Sequence, residues 1–83
     1  MIILNKDRRE IINIDNLVMI TIINEYGTNE EIDKIKYSSI IGKIDNKGVC
    51  LGIYETEERA KQILLDIYSK ISENKSSYKM PEE

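Results

Sequence analysis

The stretch GVCLGIYETEERAKQILLDIYSKI, residues 48–71, decides the fold of this chain. Its first part, up to Tyr54, is a mostly apolar run with the composition of a strand, and Thr56 then interrupts it. From Ala60 onward the apolar residues are spaced as on one face of a helix. That face carries Ala60, Ile63, Leu64, Ile67, Tyr68 and Ile71. The sequence therefore predicts a strand followed directly by a long amphipathic helix.

The start of this helix is marked by Thr56, because a threonine hydroxyl accepts a hydrogen bond from a free backbone N–H of the first turn. Glu57 and Glu58 follow, and the helix dipole favours negative charge at this end. A reciprocal capping box is incomplete, since Arg59 stands where a Glu or Gln is needed. The apolar pattern ends at Ser72.

Short isoleucine-rich runs precede the helix, and β-branched side chains favour strands. We expect strands near residues 2–4, 10–14, 17–24, 35–44 and 49–54. Asp15-Asn16 is predicted to form a hairpin turn, and Asp45-Asn46-Lys47-Gly48 another, in which Gly48 supplies a positive φ. The predicted class is α+β, a small antiparallel sheet of about five strands with one C-terminal helix on one face.

The faces of two strands can be assigned from alternation. On the last strand, Val49, Leu51 and Ile53 are expected to face the helix. The run from Leu17 to Ile23 is apolar on both faces, so both faces are expected to be buried. We predict that a second subunit covers one of them through an oligomer interface. The predicted interface residues are Val18, Ile20 and Ile22.

We interpret residues 1–72 as a single domain, since a chain of 83 residues holds one modest core. Residues 73–83 are expected to be a tail that is either flexible or forms a short edge strand. Residues 24–34 stay open between a loop, a hairpin and a short helix around 30–34, because no periodicity decides among them.

Composition excludes several classes of protein. The net charge is −3 and no run of Lys or Arg is present, so binding to duplex DNA or RNA is not expected. The single cysteine excludes an internal disulfide framework and is typical of a reducing compartment. The sequence has neither a signal-peptide pattern nor an apolar run of membrane-spanning length. We expect a cytoplasmic protein that does not bind membranes.

Catalysis and metal binding are also not expected. The chain has no histidine, which removes the commonest general base and zinc ligand. Cys50 is interpreted as a small buried hydrophobe rather than a reactive thiol. The paired glutamates (30–31, 57–58 and 82–83) are better explained by solubility or by the helix dipole, and the four glycines are scattered, so no phosphate loop is present. We predict no enzyme, no metal and no cofactor.

Two places have residues suited to binding. Arg8 and Arg9 lie in a polar turn, and arginine recognises phosphate or carboxylate with a forked geometry. Tyr54 and Arg59 flank the helix N-terminus, where free N–H groups attract anions, although Glu57 and Glu58 oppose this. Simple solvated surface is the alternative interpretation at both places.

Three segments carry a resemblance to a known family. They are IILNKDRREIINIDN near the start, LGIYETEERAKQIL in the middle and YKMPEE at the end, whereas residues 25–47 match no pattern. The chain resembles small uncharacterised proteins encoded by phages and prophages of Gram-positive bacteria, with the signature IIN-x-DN, YETEERAK and MPEE. These motifs mark a turn, a cap and a helix face, and no catalytic residues come with them.

The resemblance implies a non-catalytic accessory protein that acts by stoichiometric binding, as a homo-oligomer. We expect a counter-defence role, either sequestering a host signalling nucleotide or blocking a host defence protein. For a nucleotide second messenger, Arg8, Arg9 and Arg59 would hold phosphates and Tyr54 would stack on the base. The alternative is a structural or protein-interaction subunit without a small-molecule ligand.

Overall fold

Six strands and one helix form the part of the chain that the computed structural model describes, residues 1–27 and 34–83. The elements are β1 (Ile2–Leu4), β2 (Ile11–Asn13), β3 (Met19–Tyr26), β4 (Ile35–Ile44), β5 (Lys47–Tyr54), α1 (Glu57–Ser72) and β6 (Ser77–Lys79). The α+β class is confirmed. The strands, however, form two three-stranded sheets instead of one sheet of about five.

The smaller sheet has the order β2-β1-β6. β1 and β2 pair antiparallel, and β6 lies parallel to β1 on its other side. The turn between β1 and β2 is organised by the buried amide of Asn5, whose Oδ1 accepts from the backbone N–H groups of Arg9 and Glu10, both at 3.1 Å. Within this turn Arg8 has a φ of 65°, in the left-handed region.

The predicted hairpin turn at Asp15-Asn16 is wrong. These residues belong to a single 3₁₀ turn, Ile14–Asn16, in which the side chain of Asn13 accepts a hydrogen bond from the backbone N–H of Asp15. The turn carries the chain from the smaller sheet into the larger one. β2 and β3 therefore belong to different sheets and do not pair.

The larger sheet is an antiparallel meander with the order β3-β4-β5. A two-residue turn, Asp45-Asn46, joins β4 to β5. The positive φ of this turn lies at Asp45, 53°, and Gly48 is already part of the strand. The prediction of a positive φ at Gly48 is wrong, because β5 already begins at Lys47 and Gly48 is a strand residue.

A bulge in β5 changes which side chains face the core. Ile40 pairs with Gly52 and Ile41 pairs with Cys50, so Leu51 is an extra residue on β5. Alternation changes phase there, which buries both Leu51 and Tyr54 and leaves Ile53 46% exposed. The expectation that Ile53 faces the helix is wrong for this reason.

The bulge is also where the two sheets meet. The backbone N–H of Lys6, which follows β1, donates to the carbonyl oxygen of Leu51 at 2.8 Å. This bond holds the turn after β1 against the outer edge of β5. The side chain of Lys6 is thereby brought next to Tyr54.

The predicted helix start is confirmed. Thr56 is the N-cap and its Oγ1 accepts from the backbone N–H of Arg59 at 3.1 Å. The buried face is narrower than the predicted apolar face, because Tyr68 and Ile71 are 69% and 45% exposed. The buried residues of α1 are Ala60, Ile63 and Ile67.

The core lies between α1, the larger sheet and β1. Its buried hydrophobic residues are Ile3, Ile14, Ile40, Leu51, Tyr54, Ala60, Ile63, Ile67, Tyr78 and Met80. Two of them, Tyr78 and Met80, come from the last ten residues, which form the edge strand β6 and the segment that follows it. The predicted alternatives for residues 24–34 lie mostly outside the described residues, although β3 continues to Tyr26.

Candidate functional site

A cleft of about 500 Å³ lies beside the N-terminus of α1. The end of β5, the cap of the helix, the turn after β1 and the last residues of the chain all contribute to it. The lining residues are Lys6, Tyr54, Glu55, Thr56, Arg59, Glu82 and Glu83. Two of the predicted ligand-binding residues, Tyr54 and Arg59, therefore meet in one cleft.

Tyr54 is almost completely buried, with 2% of its surface exposed. Its hydroxyl donates to the carbonyl oxygen of Pro81 at 2.7 Å, and the Lys6 ammonium lies 4.8 Å from the ring centroid. Burial raises the pKa of the Tyr54 phenol to about 12, although the charges of Arg59 and Arg8 oppose this shift. Stacking a base on this ring would require Lys6 and the segment around Pro81 to move.

Arg59 extends from the first turn of α1 toward the end of the chain. Its Nε donates to the backbone carbonyl of Glu83 at 2.8 Å, and its Nη1 donates to Gln62 Oε1 at 3.3 Å. The side chain is only partly exposed. Its charge thus already has a partner in the segment that covers the cleft.

Arg8, in the β1–β2 turn, also binds the end of the chain. Its Nη1 donates to the carbonyl oxygen of Met80 at 2.7 Å and to that of Asn5 at 3.3 Å. Its Nη2 lies 3.2 Å from Glu82 Oε1, which forms an ion pair. We call residues 80–83 the closing segment. Arg8, Tyr54 and Arg59 hold it across the core.

Arg9 lies outside this cleft and is exposed. Its backbone N–H is bound by the side chains of Asn5 and Asp7. In residues 1–27 and 34–83, its guanidinium takes part in no hydrogen bond or ion pair. The structure therefore separates Arg9 from the other three predicted ligand-binding residues.

The cleft is close to neutral in charge, which limits its chemistry. Lys6 and Arg59 line it together with three carboxylates, those of Glu55, Glu82 and Glu83. An anionic ligand would have to displace the closing segment, which already satisfies Arg8 and Arg59 with carbonyl and carboxylate oxygens. The arrangement suits an exchange of one anionic partner for another more than an open phosphate site.

The expectation that Cys50 is buried is wrong, because its thiol is exposed on β5. It faces away from the core, beside a pocket of about 350 Å³ that Asp7 and Glu10 also line. Partial desolvation raises the pKa of Cys50, and the two acidic side chains raise it further. A raised pKa lowers the thiolate fraction and does not favour a nucleophile.

Within residues 1–27 and 34–83, no group of three or more acidic or cysteine side chains is placed to hold a metal ion. The same residues contain no helix that is long and apolar enough to cross a membrane.

The larger sheet has one face that α1 does not cover. We call it the outer face, and its two central rows are Ile23–Ser39–Ile53 and Thr21–Ile41–Cys50, as given by the strand register. Ile23 and Ile53 are 41% and 46% exposed. This face presents aliphatic side chains to the surroundings, and such a patch is typical of a docking surface.

A second apolar surface lies where α1 runs beside β3. A groove of about 490 Å³ separates them, and we call it the β3-side groove. The side chains that matter here are Leu17, Met19, Ile20, Leu64, Tyr68 and Ile71. Its opening at Tyr68 and Met19 is apolar and exposed, 69% and 50% respectively.

The predicted interface residues fall into two groups. Ile20 and Ile22 are partly buried and pack against the core of their own chain. Val18 is 72% exposed, at the entrance to β3. The apolar character of both strand faces is thus used differently than expected: the Ile20 and Ile22 side is covered by α1, and the Thr21 and Ile23 side is left open.

The closing segment and Lys6 are the parts of the cleft that the sequence did not reveal. The alternation of buried Tyr78 and Met80 around Lys79 gave a strand signal for residues 77–80. Nothing in the sequence indicated that residues 80–83 would reach Arg8, which lies 72 positions from Met80.

Comparison with known proteins found no match: no family model, no curated protein and no solved structure is similar to this chain.

Proposed function

We propose that this chain is a non-catalytic accessory binding protein that acts as a homo-oligomer and blocks a partner protein by direct contact. The observation that carries the proposal is the outer face, a sheet surface on which the aliphatic side chains of Ile23 and Ile53 are exposed. Because the chain resembles phage and prophage proteins, we propose that the partner is a host defence protein. The proposed role is counter-defence in the host cytoplasm.

The outer face supports protein binding better than small-molecule binding. Its exposed residues Ile23 and Ile53 lie on the two flanking strands, with Ser39 between them on β4 and Ile41 in the neighbouring row. Two exposed side chains of this surface are therefore aliphatic, and such side chains are buried against a partner because contact excludes water. The missing histidine and the exposed thiol with its raised pKa agree with a role without catalysis.

Phage plating tests this role. Bacteria that carry a defence system are infected with a phage sensitive to it, with and without the chain expressed in the cell. The wild-type chain is expected to restore plaques, and the double variant Ile23→Lys/Ile53→Lys is expected to fail. Ile11→Lys is the control, because Ile11 is 69% exposed on the other sheet.

Circular dichroism must show that all three proteins are folded. Equal restoration by the outer-face variant and the wild type would overturn the assignment of the surface. No restoration by the wild type against any of a panel of defence systems would overturn the role itself.

Nucleotide sequestration is the second candidate, and the cleft beside Tyr54 favours it. Arg59 and Lys6 both line it, and a volume of about 500 Å³ admits a nucleotide. Binding in this form exchanges the closing segment for the phosphates. Heating the purified protein and analysing the supernatant by mass spectrometry is the first test, since a sequestered nucleotide is released.

Calorimetry with the released nucleotide then tests the residues. Arg59→Ala is expected to weaken binding, whereas Arg9→Ala is expected to leave it unchanged because Arg9 lies outside the cleft. Equal affinities for Arg59→Ala and the wild type would exclude the cleft. If heating releases no nucleotide while native mass spectrometry reports an oligomer, the alternative of a structural or interaction subunit without a ligand is favoured.

A further inference from the structure

The free edge of β3 is the feature that the proposed function does not yet use. β3 pairs with β4 on one side only, since it is the first strand in the order β3-β4-β5. In the part of the chain that the structure describes, no backbone hydrogen bond reaches its other side. Such an edge presents unpaired N–H and C=O groups, and these specify the chemistry of an occupant: another strand.

This edge lacks the features by which monomeric proteins protect a strand. β3 is eight residues long, with the sequence MITIINEY, and contains no proline and no lysine. Glu25 is its only charged residue, and the register shift with β4 comes only at its end, between Glu25 and Tyr26. Residues 19–24 thus form an uncharged and regular edge, which favours pairing with another strand.

The β3-side groove lies directly beside this edge. The Asn24 amide donates to the Glu57 carboxylate, while Met19 and Tyr68 line the same groove, so α1 runs antiparallel to β3 along its length. Leu64, Tyr68 and Ile71 line this groove opposite Met19 and Ile20, so they form an apolar wall beside the first residues of β3. The start of the free edge and the apolar wall therefore adjoin each other.

We propose that this surface joins two copies of the chain, with β3 pairing antiparallel to β3 of the second copy about a two-fold axis. The larger sheets of the two copies then form one six-stranded sheet, and the two α1 helices lie beside each other across the axis. The proposal deepens the homo-oligomer of the proposed function and rests on it, by assigning that oligomer a surface.

A second copy suits this edge because a two-fold contact brings one surface against itself. Glu25 lies near one end of β3, so antiparallel pairing places the two Glu25 side chains at opposite ends of the joined strands. No like charges then stand opposite each other, which would otherwise weaken the pair. An edge whose only charge lies near one end is self-complementary in this sense.

The size of the contact indicates a weak and reversible dimer. Eight residues of strand span about 26 Å, and a sheet with a helix layer above it is about 20 Å thick. The contact is then on the order of 500 Å² per copy, below the roughly 800 Å² of a standard interface. We expect a dimer that dissociates in the micromolar range, not a permanent one.

Sedimentation equilibrium on the full chain tests the dimer, between about 1 µM and about 1 mM protein. The wild type is expected to pass from monomer to dimer in this range. Tyr68→Lys puts a charge into the apolar wall and is expected to raise the dissociation constant at least about tenfold. Ile11→Lys is the matched control, because Ile11 and Tyr68 have the same exposure, 69%, and Ile11 lies on the smaller sheet.

Hydrogen–deuterium exchange then locates the contact. Amides of β3 are expected to exchange more slowly at high protein concentration, whereas those of β6, also an edge strand, are expected to be unaffected. A dimer whose β3 amides do not respond to concentration, or that survives Tyr68→Lys but dissociates with Ile53→Lys, would overturn this contact and leave the proposed oligomer standing. A monomer at every concentration would overturn both.

Discussion

The guanidinium of Arg8 donates to the carbonyl oxygen of Met80 at 2.7 Å, joining positions that are 72 residues apart. The backbone of Arg8 has a φ of 65°, a conformation that residues other than glycine rarely adopt. The turn between β1 and β2 is thus shaped to hold the closing segment. What looked from the sequence like a candidate phosphate-binding residue is also a structural link between the two ends of the described chain.

Two substitutions of Arg8 separate the effect of its strained backbone from the effect of its side-chain hydrogen bonds. Arg8→Ala removes the bonds to Met80 and Glu82 but keeps the left-handed backbone, and we expect it to lose about 1–2 kcal/mol of unfolding free energy. Arg8→Gly loses the same bonds and relieves the strain, so it is expected to be about 1 kcal/mol more stable than Arg8→Ala. Urea unfolding followed by circular dichroism measures both. Equal stability of the two variants would contradict the role of the backbone.

The Tyr54 phenol makes stability depend on alkaline pH. Its pKa is raised from 10.0 to about 12 in the folded chain, mainly by burial. The stability it contributes is therefore complete below pH 10 and is lost as the pH rises toward 12, because the unfolded chain releases the proton first. Tyr78 acts in the same direction, since burial and the acceptor Asp66 raise its pKa as well.

We expect Tyr54→Phe to be about 1 kcal/mol less stable at neutral pH, through the lost hydrogen bond to Pro81. Its stability should also fall less steeply above pH 10 than that of the wild type. Unfolding curves at a series of pH values measure the slope, and Tyr68→Phe controls for removing an exposed phenol. The same slope in Tyr54→Phe and wild type would be evidence against burial as the cause.

Asn24 connects the sheet to the first turn of α1. Its Oδ1 accepts from the fully buried Ser38 hydroxyl at 2.6 Å, and its Nδ2 donates to the Glu57 carboxylate. Asn24→Ala leaves the Ser38 hydroxyl without its acceptor, and we expect a loss of about 1–3 kcal/mol.

The same variant should change the titration of Glu57. The pKa of Glu57 is lowered mainly by the Asn24 donor and next by the charge of Lys61. Its contribution to stability is therefore present above the ordinary pKa of a glutamate and is lost as the pH falls through the lowered folded value. NMR titration of the Glu57 carboxyl should show a higher pKa in Asn24→Ala. An unchanged value, with Asn46→Ala as the control, would exclude the hydrogen bond as its cause.

Gly52 lets the Tyr54 ring and Lys6 approach β5. A Cβ at this position would lie 2.8 Å from Tyr54 Cε2 and 3.1 Å from Lys6 Cβ. We expect Gly52→Ala to cost about 1–3 kcal/mol through overpacking. At the exposed Gly48 the nearest atom is Ile41 Cγ2, 3.0 Å away at the end of a side chain, so Gly48→Ala should cost less than about 1 kcal/mol. Thermal unfolding compares them, and an equal loss would show that the space beside Tyr54 is not limiting.

Local signals were sufficient for the helix and for the approximate positions of most strands. The cap at Thr56 depends on residues within one turn, and a sequence pattern describes it well. The bulge at Leu51 is different, because the carbonyl oxygen of Leu51 accepts from Lys6, a residue far away in the chain. Its effect on Ile53 and Tyr54 could not be predicted from alternation alone.

The candidate site was predictable only in part for the same reason. Tyr54 and Arg59 are close in sequence, and their meeting at the start of α1 follows from the strand–helix junction. The closing segment reaches that junction through β6, whose pairing with β1 has no local signal. Arg9 and Arg8 are neighbours in sequence, yet the turn directs only Arg8 toward the closing segment.

The parallel pairing of β1 with β6 also orders events during synthesis. Ile2, Ile3 and Leu4 are translated more than 70 residues before their partners, residues 77–79. Until residues 77–80 are made, Ile3 has neither β6 nor Met80 beside it, and the smaller sheet of the nascent chain is unfinished. Contacts between such distant positions also slow folding. A ribosome that stalls before residue 77 therefore holds a chain whose first strand is exposed to chaperones and proteases.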